Sequence, residues 1–166
     1  GFFRDSVILT LLVPFPVSGA LNVYAYLYLL DQARVPGPGL ATVVVAVHIL
    51  AFLHLEFGRK LRWPHLEPAG GNGYARALGV PGAFGVCAML GVFACTLASW
   101  MHGLAGAGFP LALLPWVALL ASAAGLVLFL RNRSRQLELK PFFGVFLMSF
   151  FALNILVTVS GAGGTG

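Results

Sequence analysis

Hydrophobic residues run along this chain in five long, nearly uninterrupted stretches, and the segments between them hold almost all of the charge. Crossing a hydrocarbon core about 30 Å thick takes roughly 20 helical residues, and each stretch is close to that length. A transmembrane β-barrel needs short segments alternating apolar and polar residues, which these continuous runs are not. The pattern therefore predicts an all-α fold, a polytopic membrane helix bundle of five spans.

The first span covers about Ser6 to Leu30 and carries Pro14 and Pro16, which remove backbone donors and should kink it. A loop from Asp31 to Gly39 ends it. The second span runs from Leu40 to about Phe57, and a long polar loop from Gly58 to Val80 follows. The third covers Pro81 to about Met101, the fourth about Phe109 to Leu130, and the fifth Pro141 to Val159. This gives one bundle over residues 1–160 and a flexible Gly-rich tail at 161–166. No tandem repeat of solenoid length interrupts it.

Composition sharpens the class. Of 166 residues 59% are hydrophobic and only 9% charged, where a soluble domain carries about 25% charged residues. Mean hydropathy is +0.92. Cys87 and Cys95 lie in one apolar segment without paired C-x-x-C spacing, so they read as buried free thiols. The chain starts at Gly1 with no signal-peptide pattern ahead of the first span, which reads as a piece of a longer protein.

The basic residues give an orientation, because cytoplasmic loops retain Lys and Arg. Arg4, Arg59, Lys60, Arg62, Arg76, Arg131, Arg133, Arg135 and Lys140 fall on one face and only Arg34 on the other. The N-terminus and both basic loops are thus expected to be cytoplasmic in a cell membrane, with the tail outside. The net charge of +5 then reflects topology and attraction to anionic headgroups of the lipid bilayer. No basic stripe interleaved with aromatics supports a nucleic-acid partner.

Candidate chemistry lies in one loop, Glu56-Phe57-Gly58-Arg59-Lys60-Leu61-Arg62-Trp63-Pro64-His65-Leu66-Glu67, continuing to Gly71-Asn72-Gly73-Tyr74 and Leu78-Gly79. Glu56 precedes Arg59 and Lys60 by three and four residues, which are neighbouring helical positions. Carboxylates in such a cluster suit a hydrated divalent cation, and the bases suit phosphate oxygens. An interfacial ion pair and a positive-inside anchor account equally for that pair. They do not account for Glu67, the glycines and Tyr74 that follow.

The ordered string resembles a loop of the UbiA superfamily of intramembrane prenyltransferases, with a pattern close to E-x-G-R-K-x-R-x-P-x-x-E, then G-x-D-T-Y-S and L-G. Glu56, Gly58, Arg59, Lys60, Arg62, Pro64, Glu67, Tyr74 and Gly79 match it. Asn72, Gly73 and Ala75 depart from it; Asp and Thr are usual at the first two of these.

The resemblance implies a nine-helix bundle of which this chain is helices five to nine, with the missing N-terminal half of the same protein carrying the first Asp-rich motif. It also implies Mg²⁺ as cofactor, an isoprenyl diphosphate as donor, and a hydrophobic or aromatic acceptor. By residue, it implies Glu56 and Glu67 as catalytic metal ligands and Asn72 as a third metal ligand. Arg59, Lys60, Arg62 and Tyr74 become the diphosphate contacts. The alternative is a small transporter subunit or scaffold without catalysis.

Other polar and aromatic residues of the spans read as structural. His54, two residues before Glu56, is expected to be an interfacial histidine, and His48 near mid-span lacks the second mid-span histidine that haem ligation needs. Asn154 is expected to bond helix to helix. Phe142, Phe143, Phe146, Phe150 and Phe151 recur at helical spacing and read as lipid-facing packing rather than a cavity wall.

Overall fold

A computed structural model describes residues 38–67, 73–104 and 107–162. Five α-helices and one 3₁₀ turn make up the described residues, and no strand occurs among them. They are α1 (Pro38–Arg59), the 3₁₀ turn (Pro64–Leu66), α2 (Tyr74–Leu104), α3 (Phe109–Ala112), α4 (Pro115–Arg131) and α5 (Lys140–Ala162). Among the described residues four segments are long and apolar enough to cross a membrane: Thr42–Arg59, Tyr74–Leu104, Phe109–Arg131 and Lys140–Thr158. The chain is a multi-pass membrane protein. The expected first span and the Gly-rich tail beyond Ala162 lie outside the described residues.

Neighbouring spans run antiparallel and pack in the order α1, α2, α4, α5 and back to α1, so four long helices enclose a common core. In lipid, contact between helices depends on close backbone approach more than on the hydrophobic effect. The inner face of α2 supplies that approach with a stripe of small residues: Ala83, Cys87, Gly91, Ala94, Cys95 and Ala98 are all buried. Both cysteines are free, as expected. Outward positions carry large aliphatic side chains instead, among them Met89, Leu120, Met148 and Ile155.

The phenylalanines of α5 complement the stripe. Phe143, Phe146 and Phe150 are fully buried, so they form the centre of the bundle and not the lipid-facing packing expected from sequence. Lipid and a membrane-protein core are both apolar, so periodicity alone does not tell which environment an aromatic face meets. Asn154, as expected, bonds between helices: His102 Nε2 donates to its Oδ1 at 2.7 Å.

One boundary differs. The polar loop is shorter than expected because α2 begins at Tyr74, and its first turns are set off from the rest at Gly79 (φ 71°, ψ 160°). That left-handed backbone is open to glycine and strained for other residues. Pro81 lies in the first turn after the break, where a missing N–H leaves no helical hydrogen bond unmade.

Candidate functional site

The C-terminal ends of α1 and α4 and the N-terminal ends of α2 and α5 meet at one end of the bundle. The segment after α1 is docked onto this end by three contacts. Trp63 Nε1 donates to Phe129 O (3.2 Å) while its ring stacks on Phe129 at 4.9 Å between centroids. His65 Nε2 donates to Arg133 O at 2.8 Å. Arg62 Nε donates to Gln136 Oε1 at 2.9 Å in the amide orientation that also lets Gln136 donate to Leu66 O. The two basic loops therefore share one end of the molecule, the arrangement expected from counting charges.

Glu56 closes α1. Arg59 Nε donates to its Oε1 at 2.8 Å, and Arg59 Nη2 and Lys60 Nζ stand 2.7 and 3.4 Å from its Oε2. Neither contact on Oε2 has hydrogen-bond geometry, so that buried oxygen is held by charge alone. Lys60 reaches on to Tyr74, its Nζ 5.7 Å from the ring centroid, a cation–π contact. Phe57 and Tyr74 stack at 4.1 Å, which fixes the start of α2 against the end of α1.

Glu67, at the far end of the loop, packs against the residue that precedes Tyr74. Its carboxylate presses on Gly73, where an added Cβ would collide with Oε1. The side chain is 1% exposed, and its partner is Arg76, whose Nε lies 3.6 Å from Oε2. That distance is an ion pair but not a hydrogen bond. Oxygens of three side chains, Glu56 Oε2, Glu67 Oε2 and Tyr74 Oη, are thus buried without a hydrogen bond. With one long ion pair among the described residues, a carboxylate as enclosed as Glu67 is costly unless a further cation shares it.

Five of the residues singled out from sequence therefore gather here: Glu56, Arg59, Lys60, Glu67 and Tyr74. Arg62 does not join them, because its side chain turns to Gln136. Asn72 lies outside the described residues. Arg76, which sequence reasoning counted only for topology, is the ion-pair partner of Glu67. Gly58, quoted only as a motif position, abuts the Phe143 ring so closely that a Cβ would overlap it.

The fit to a divalent cation rests on the two carboxylates, each with one oxygen lacking a hydrogen bond. Among the described residues no group of three metal-ligating side chains occurs. Two carboxylates suit a hard cation such as Mg²⁺ that keeps most of its water. Arg59 and Lys60, already on Glu56, are positioned to bind the oxygens of an anionic ligand such a cation would bring.

His54 is not the interfacial residue expected. It is fully buried, with its Nδ1 donating to Cys87 O at 2.8 Å and its ring against Phe143 (4.8 Å) and Phe146 (4.5 Å). The turn of α1 ahead of Glu56 is thereby pinned to α2 and α5. An open groove of about 450 Å³ lies apart from the charged end, between α1 and α2 among Leu50, Phe93, Thr96, Leu97 and Trp100. Compared with family sequence models, with curated proteins and with solved structures, the chain gave no match.

Proposed function

We propose that this chain is the C-terminal part, helices five to nine, of a UbiA-type intramembrane prenyltransferase, which transfers an isoprenyl group from its diphosphate to a hydrophobic or aromatic acceptor. The observation that carries the reading is the buried, under-partnered Glu67 packed on Gly73, the residue before the Tyr74 that Lys60 links to Glu56, at the end of the loop string that resembles the family. Charge this enclosed at the mouth of a membrane bundle is expensive and is usually retained for a ligand.

In this reading Glu56 and Glu67 would hold Mg²⁺, with Asn72 as a further ligand from the same loop. The ion, when bound, offsets charge on the departing diphosphate. Arg59 and Lys60 bind phosphate oxygens and stabilise the same developing charge through fixed, preorganised donors. Phe57 and Tyr74 wall the site and exclude water from the apolar end of the substrate. His54 and Gly58 act indirectly by fixing the last turns of α1 against α2 and α5. The site faces the cytoplasm, the side on which the nine basic residues fall.

The test uses membranes from cells expressing the full reading frame that encodes this chain. With an isoprenyl diphosphate and a phenolic or quinol-type acceptor, the reading predicts Mg²⁺-dependent release of diphosphate and prenylated product. A transporter subunit or scaffold gives neither, and that result across farnesyl, geranylgeranyl and longer donors contradicts the proposal.

A further inference from the structure

A second charged feature lies beside the carboxylate site. A cleft of about 350 Å³ opens between the two basic loops, and its charged walls are Arg59, Arg62, Glu138 and Lys140. Its floor is apolar, with Leu61 and Leu139 each 2% exposed. We propose that this cleft is a phosphate-binding site built from Arg62 and Lys140, and that its occupant competes with Glu56 for Arg59.

Three cations face one carboxylate, so the cleft favours an anion. The cationic loops are not free in solution. The bond from Arg62 to Gln136, the bond from His65 to Arg133 O and the stacking of Trp63 on Phe129 clamp one loop to the other. That lowers the entropy lost when a ligand is gripped from both sides. Among the described residues Arg62 is bonded only through Nε, to Gln136, which leaves its two terminal nitrogens for a forked contact to phosphate oxygens. Lys140 makes no ion pair or side-chain hydrogen bond among the described residues, so its three donors are unspent.

Arg59 links the two features. It pairs with Glu56 through two contacts of 2.8 and 2.7 Å and also lines the cleft. A phosphate drawing its guanidinium into the cleft leaves the Glu56 carboxylate with Lys60 alone. The chemistry recognised is a phosphoryl group, supplied by free phosphate or by the headgroup of an anionic lipid. None of this depends on Mg²⁺ or on prenyl transfer.

The experiment is calorimetric titration of inorganic phosphate into the purified protein in phosphatidylcholine nanodiscs, with EDTA present throughout. Saturable binding is expected, with Kd raised about tenfold by Lys140→Gln and restored by Lys140→Arg. Glu56→Gln, which frees Arg59, is expected to tighten binding severalfold. A second arm uses discs containing phosphatidylglycerol: loss of phosphate binding there identifies a lipid headgroup as the occupant, and unchanged binding identifies free phosphate. No saturable binding in phosphatidylcholine, or wild-type affinity in both Lys140→Gln and Arg62→Gln, overturns the proposal. Because metal and isoprenoid are absent, failure of the prenyltransferase reading leaves these outcomes unaffected.

Discussion

The carboxylate of Glu67 lies against the backbone of Gly73, in space that any Cβ at position 73 would enter. Two residues are thereby coupled: the position of the buried acid depends on the absence of a side chain six residues later. The Thr usual at this place in the resembling loops does not fit this arrangement, which gives the departure a physical reason. Gly73→Ala is expected to displace Glu67. Mg²⁺-dependent turnover of the full-length protein should fall about a hundredfold, the scale set by misplacing a catalytic group by about 1 Å. Thermal unfolding should change little, since residue 73 lies outside the helices. Wild-type turnover in this variant would show that Glu67 takes no part.

Gly58 is a packing residue. With the Phe143 ring against its Cα, Gly58→Ala overpacks the junction of α1 and α5 and should cost about 1–3 kcal/mol of stability. Unfolding in mixed detergent micelles measures it. Combining it with Phe143→Leu, which opens space, should recover part of the loss.

His102 and Asn154 tie the far end of α2 to α5 through a 2.7 Å hydrogen bond, and Asn154 Nδ2 also donates to Phe150 O at 2.7 Å. Interhelical bonds of this kind in membranes are worth about 0.6–2 kcal/mol. His102→Leu and Asn154→Leu should each destabilise by that order, and the double variant by less than their sum. Full additivity would mean that the two side chains do not interact.

Some of the site was legible because its geometry is local. Glu56, Arg59 and Lys60 are brought together by helical spacing alone, and the string out to Tyr74 marked where a second carboxylate would join them. Features that depend on distant residues were not legible. Arg62 binds Gln136, 74 positions away, so nothing near it in sequence signals that it leaves the cluster. His54 is buried by Phe143 and Phe146 of a helix almost 90 residues on. The small residues of α2 were present as a pattern at intervals of three and four, and Phe143, Phe146 and Phe150 as another. That these two faces meet is a tertiary fact, since Ala-rich and Phe-rich faces are equally compatible with lipid.

The orientation is open to direct labelling. In a background with Cys87 and Cys95 replaced by Ala, cysteines at Arg76 and Ser134 should react with an impermeant maleimide only from the cytoplasmic side. A cysteine at Gly108, at the opposite end of the bundle, should react only from outside. The reverse pattern contradicts both the topology and the alignment with the prenyltransferase loops.

The central claim, that Glu56 and Glu67 together form a metal and diphosphate site, is tested most directly by replacing both. Glu56→Gln with Glu67→Gln keeps shape while removing the charge a hard cation needs. Assayed in the full-length protein, the double variant should lose at least about a hundredfold in Mg²⁺-dependent prenyl transfer, on the scale of losing a main electrostatic stabiliser, while still inserting and folding. Prenyl transfer at the wild-type rate by this double variant would contradict the assignment, leaving the acidic loop a structural anchor.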